Sequence, residues 1–131
     1  MIADANVLLR ILERDPGAHG RAARARVEAA RTAEPIGVLA ATVLEVGFVL
    51  ESAAAGYGWD RAAVAAAIHA IVDEPGFDVE HGAALGAAAA MYRKRSIDLH
   101  DCYLDAIARE RGVRVLSFDA DLARLGTGER P

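Results

Sequence analysis

Cysteine, lysine and long apolar runs are all scarce in this chain of 131 residues. A single cysteine, Cys102, excludes an internal disulfide and a thiolate metal site, as expected in a reducing compartment, and its ordinary place is the core. The start of the chain has no basic segment followed by a long apolar stretch, so it does not read as a signal peptide and the expected location is the cytoplasm. The longest apolar segments, 38–50 and 62–72, are interrupted by Glu45, Gly47 and His69. They fall short of the roughly 20 residues that span a bilayer, so no membrane association is expected. His19, His69, His81 and His100 show no paired ligand spacing, which with one thiol argues against zinc. No glycine-rich phosphate loop and no nucleophile elbow occurs. A net charge of −4 argues against coating nucleic acid with a basic face. It leaves a nuclease open, because an acid-rich active site makes the net charge negative even where arginines steer RNA. Arg21, Arg24, Arg26 and Arg31, then Arg93, Lys94 and Arg95, are basic groups that read equally as solvated helix faces.

What is present describes a globular domain. A hydrophobic fraction of 53% against 26% charged suffices to bury a core, and residues 1–131 fit one domain that folds alone or as a homo-oligomer. Helical patterns alternate with short apolar runs, the order of an α/β fold in which a short parallel sheet is covered by helices on both sides. Residues 1–3 read as a strand ending in Asp4, after which Asn6 can cap a helix through Val7, Leu8, Ile11 and Leu12. Helices are expected over 19–33, 41–54, 61–73, 81–95 and 98–111, with Asp60 and Asp98 as N-caps and Gly112 as a C-terminal stop. Strands are expected over 36–39, 77–79 and 113–118, the last being the clearest. The 41–54 helix is apolar almost all round and should be buried on every side.

Several acids stand out against this pattern. Asp4 follows the first strand, where a turn or capping role is the plain alternative. Glu45 interrupts an otherwise apolar helix; burying an unpaired carboxylate costs several kcal/mol, so an arginine partner, a metal or a solvent-reaching edge is required. Asp98, Asp101 and Asp105 recur on one side of their helix, with Leu99, Cys102, Tyr103, Ala106 and Ile107 forming the apolar stripe. Periodicity alone makes Asp101 an exposed first-turn acid, whereas a helix packed on two sides would aim it into a cleft. Asp119 and Asp121 follow the best strand, where a turn is the alternative. Carboxylates gathered in one pocket repel each other unless a cation holds them, and oxygen ligands select Mg²⁺ or Mn²⁺.

These residues resemble a known family. MIADANVLLR (1–10), TVLEVGFVL (42–50), HDCYLDAIARERG (100–112) and VLSFDADLARL (115–125) look like the four motifs of the PIN domain, in order and across nearly the whole chain. The resemblance implies a three-layer α/β sandwich and a metal-dependent ribonuclease. It assigns Asp4, Glu45, Asp101 and Asp119 to the metal, with Asn6, Thr42 and Ser117 as polar neighbours and Asp98 and Asp121 as auxiliaries. Asp105 departs from the motif, which more often has a small or apolar residue there. Size and the absence of extra domains are similar to VapC-like toxins, implying RNA as substrate, a homodimer and a small antitoxin that blocks the cleft. The rival enzyme reading, an aspartyl phosphotransferase with Asp4 as nucleophile, lacks a second acid two residues on and has only Lys94 to meet a phosphate. The non-enzyme rival is an interaction module whose acids cap helices.

Overall fold

The first turn of helix shows how local sequence sets the elements of this computed structural model, which describes all 131 residues. Helix α1 (Ala5–Leu12) starts where Asp4, in extended backbone, accepts a hydrogen bond from the Val7 amide at 3.0 Å, and it buries Leu8 and Leu9. Asp4, and not Asn6 as expected, is therefore the cap. The strand expected over residues 1–3 is reduced to an isolated bridge at Ile2, because only that residue pairs with Gly37; Asp4 is the extended residue before the helix, while Asn6 stands exposed in the first turn. Helix α2 (Ala18–Ala30) ends short of residue 33, and beyond it Arg31 ties the helix end to Glu28 at 2.5 Å and Glu74 at 2.7 Å.

The remaining elements are β1 (Ile36–Val38), α3 (Ala40–Glu51), α4 (Arg61–Asp73), β2 (Phe77–Val79), α5 (Gly82–Lys94), α6 (Leu99–Arg111), β3 (Val115–Leu116), α7 (Ala120–Leu125) and β4 (Gly128–Glu129). Capping follows the local rules: Asp60 accepts from the Ala63 amide and Asp98 from the His100 amide, each at 2.8 Å, and Gly112 closes α6 at φ 63°. No helix is long and apolar enough to cross a membrane.

The chain is mixed α/β with short parallel strands, but the sheet is divided. β1 pairs with β2 in the register Ile36↔Phe77, and Ile2 bridges Gly37 on the other side of β1. β3 pairs instead with β4, in the register Val115↔Gly128, as a separate sheet. The expected strand at 113–118 is thus reduced to two residues, and no backbone hydrogen bond joins it to residues 1–3. Two local contacts account for this. Arg114 donates to the carbonyls of Thr127 and Gly128, at 3.1 and 2.9 Å, and Gly128 packs so closely on α7 that a Cβ there would lie 2.6 Å from its backbone. Leu116 and Phe118 are left 72% and 76% exposed.

One apolar cluster takes residues from all seven helices, among them Leu8, Val27, Val46, Ile68, Leu85, Cys102 and Leu122. Full burial of a side chain such as Leu50 contributes about 2 kcal/mol. Cys102 lies in this core as expected, its thiol pushed up to about 11 by burial. Helix α3 departs from expectation. Val43, Val46, Gly47 and Leu50 are buried, but Ala41, Glu45 and Phe48 form a stripe open to solvent. Its neighbours α1, α4 and α6 do not enclose the whole circumference, and Phe48 is 73% exposed.

Candidate functional site

The acids read from the sequence lie where strands and turns hand over to helices. Asp4 follows the bridge at Ile2, with one carboxylate oxygen engaged by the Val7 amide and the other free at the positive end of α1. Asp119 repeats the arrangement before α7: it accepts from the Asp121 amide at 2.7 Å, and its own N–H donates to Ser117 Oγ at 3.0 Å. Asp121 is drawn aside into an ion pair with Arg124. A third acid in such a position, Glu80, follows β2; its Oε1 accepts from the Ala40 amide at 3.1 Å and so caps α3. Sequence reading passed over Glu80, although an acid directly after a short strand was the signal used for Asp4 and Asp119.

Glu45 lies on the exposed stripe of α3, with Thr42 half-buried one turn before it. Of the alternatives read for it, the structure realises the solvent-reaching edge: solvent reaches Glu45, and no desolvation has to be offset. Between α3 and the start of α6, Leu44, Phe48, Glu51, Asp98, Leu99 and His100 line a cleft of about 60 Å³. Glu51 is held there by the Tyr92 hydroxyl, which donates to it.

Asp101 is the acid whose surroundings change its chemistry. It sits in the first turn of α6 and is half-buried, because α6 packs on more than the one face that periodicity marks. Burial first, and then the negative charges of Asp119 and Asp98, raise its carboxyl above the usual carboxylate range, with His100 acting in the opposite sense. The fold therefore brings Asp98, Asp101 and Asp119 into electrostatic contact. Asp4 and Glu45 are not among the charges acting on Asp101. No three acid, histidine or cysteine side chains stand close enough together to form a complete metal-ligand group.

The chemistry of the donor set fits a hard divalent cation. Asp98 and Asp119 each engage one carboxylate oxygen as a cap and keep the other, and a cation beside Asp101 would reverse the repulsion that raises its carboxyl. Asp105 stands apart from this group. It is only 3% exposed and accepts from Thr127 Oγ1 at 2.6 Å and Arg109 Nε at 2.9 Å.

The basic groups divide between scaffold and surface. Arg24 donates to the Asp15 carbonyl at 2.8 Å, Arg21 to the Pro16 carbonyl, and Arg31 is paired as described, so most of the α2 arginines serve the scaffold. Arg93, Lys94 and Arg95 end α5 in solvent, and Arg95 lines an open depression with Ser96, Ile97 and Arg124, next in the chain to Asp98. A cavity of about 190 Å³, lined by Met1, Arg26 and Ile36 among others, opens at the amino ends of the strands, the edge opposite the acids.

In comparison with known proteins, the model of the PIN domain matches residues 1–128. No curated protein matches the chain.

Proposed function

The chain belongs to the PIN domain family, whose members are generally metal-dependent nucleases, and from this we propose that it hydrolyses RNA phosphodiesters with Mg²⁺ or Mn²⁺. The observation that carries the reading is the half-buried Asp101 carboxyl, perturbed by Asp119 and Asp98 at the mouth of α6. A divalent ion, when bound, would polarise the phosphate and ease deprotonation of the attacking water.

The residues supply the rest. Asp4, Asp101 and Asp119 are assigned as ion ligands. Glu45, exposed on α3, ligates or takes the proton of water as its oxygen attacks phosphorus and the bond to the 3′ oxygen breaks, that oxygen leaving as a hydroxyl with a proton from solvent. Asn6, Thr42 and Ser117 orient ligands and water; Asp98 assists through charge, while Asp121, paired with Arg124, is a weaker auxiliary. Arg95 and Arg124 beside the acids offer a path for the RNA backbone, and Phe48, one turn beyond Glu45, an aromatic face for a base. We assign the toxin role of a toxin–antitoxin pair, acting in the cytoplasm as a homodimer blocked by a small antitoxin, on family grounds alone. Exposed Phe48, Leu116 and Phe118 supply apolar surface for such partners.

The test is cleavage of RNA with Mg²⁺ or Mn²⁺ by the native protein, Asp4→Asn and Glu45→Gln, purified identically. Asparagine still caps α1, so the fold survives while cleavage is lost in Asp4→Asn; Glu45→Gln falls at least about 100-fold. Full activity of Asp4→Asn, or of native protein in excess chelator, would contradict the reading.

A further inference from the structure

Asp105 is the acid that the proposed site leaves out and the fold buries. It continues the stripe of Leu99 and Cys102 along α6, where an apolar residue would be covered without the desolvation that a carboxylate incurs. Its two oxygens are used in different directions. Oδ1 accepts from Thr127 Oγ1, and Thr127 is itself buried; Oδ2 accepts from Arg109 Nε, whose guanidinium also donates to the Leu125 carbonyl at 2.5 Å. Leu125 is the last residue of α7, and Thr127 lies between α7 and β4. One carboxylate thus holds the whole turn that follows α7.

We propose that Asp105 is a positioning residue: through Thr127 and Arg109 it locks α7 against α6 and so sets the separation of Asp101 and Asp119. The inference rests on the reading of those two acids as an ion site. The geometry supports it in three ways. Asp105 lies one turn after Asp101 on the same helix, and α7, which it anchors, opens at Asp119. Helix α7 has six residues, too few to hold its own place without tertiary contacts. The close packing of Gly128 on Leu122 and Ala123 leaves little slack between the anchored turn and the helix. Hydrogen bonds are directional where apolar contact is not, so a buried carboxylate fixes register as well as proximity.

The experiment measures Mn²⁺ affinity by calorimetry on the full chain, with unfolding midpoints recorded in parallel. Thr127→Val removes only the hydroxyl; it should bind Mn²⁺ about tenfold more weakly, as loss of a group that orients metal ligands does. Thr127→Ser should restore affinity to within about twofold, because it restores the donor. Arg31→Ala, which breaks the distant pair with Glu74, should lower the midpoint and leave Mn²⁺ affinity unchanged. Native-like Mn²⁺ binding by Thr127→Val with only a lowered midpoint would overturn the lock and leave the ion site standing. A native protein that binds no Mn²⁺ would remove the site and the lock together.

Discussion

Removing Arg61 should cost this protein a large part of its stability. Arg61 opens α4, and its Nη1 lies 2.8 Å from each of the carbonyls of Tyr92, Arg95 and Ile97, while its Cζ stands 4.2 Å over the Tyr92 ring. Those carbonyls end α5 and lead into α6, where the helix itself leaves acceptors without partners. One nitrogen has two hydrogens, so the three contacts count as about two charge-assisted bonds of about 1.5 kcal/mol each. The cation–π contact adds about 1 kcal/mol. Because water can reach the Arg95 carbonyl in the variant, the sum of about 4 falls to about 3 kcal/mol for Arg61→Ala. For a chain of this length that is a drop of about 10 °C in Tm. Arg61→Lys keeps charge but loses the planar stack, and should retain about half. Urea denaturation followed by circular dichroism measures both, with the slope unchanged if only stability has changed. A loss below about 1 kcal/mol for alanine, or equal losses for alanine and lysine, would refute the account.

Two glycines on helices should respond oppositely to alanine. At Gly47 a Cβ would lie 2.5 Å from Leu99 Cδ2, and overpacking of about 2 kcal/mol outweighs a helix-propensity gain of about 1, so Gly47→Ala is destabilised by about 1 kcal/mol. Gly86 has open space, and Gly86→Ala should be stabilised by up to about 1 kcal/mol; thermal melts of the pair decide. Asp101 carries a pH signature. Its carboxyl is raised in the fold, so the folded chain holds that proton more tightly than the unfolded one, and the ionised group opposes folding above its folded pKa. Asp101→Asn should therefore be more stable than the native metal-free protein at neutral pH, the difference vanishing as pH falls below the ordinary aspartate range. Denaturation across pH 3–8 checks it, and a gap that widens toward acid would contradict the sign.

The caps at Asp60 and Asp98 and the stop at Gly112 were legible in the sequence because each is made by a side chain or a φ within three residues of its effect. The α/β order and the acids at strand ends were legible for the same reason. The faces of α3 and α6 were not. The sequence of α3 is apolar nearly all round, and only the neighbours it meets decide that Glu45 and Phe48 face water. On α6 the polar side by periodicity includes both Asp101 and Asp105, yet long-range packing half-buries the first beside Asp119 and seals the second under Thr127. β4 and α7 passed unforeseen because elements of two and six residues carry too little pattern to be read, and β3 pairs with β4 in a sheet separate from the first. By itself, then, the sequence determined the caps of α4 and α6 and which acids stand at helix starts, since backbone hydrogen bonding there is settled locally. Which acids sense one another, and which one is spent on structure, was decided only by tertiary packing, because burial and charge separation depend on residues distant in the chain.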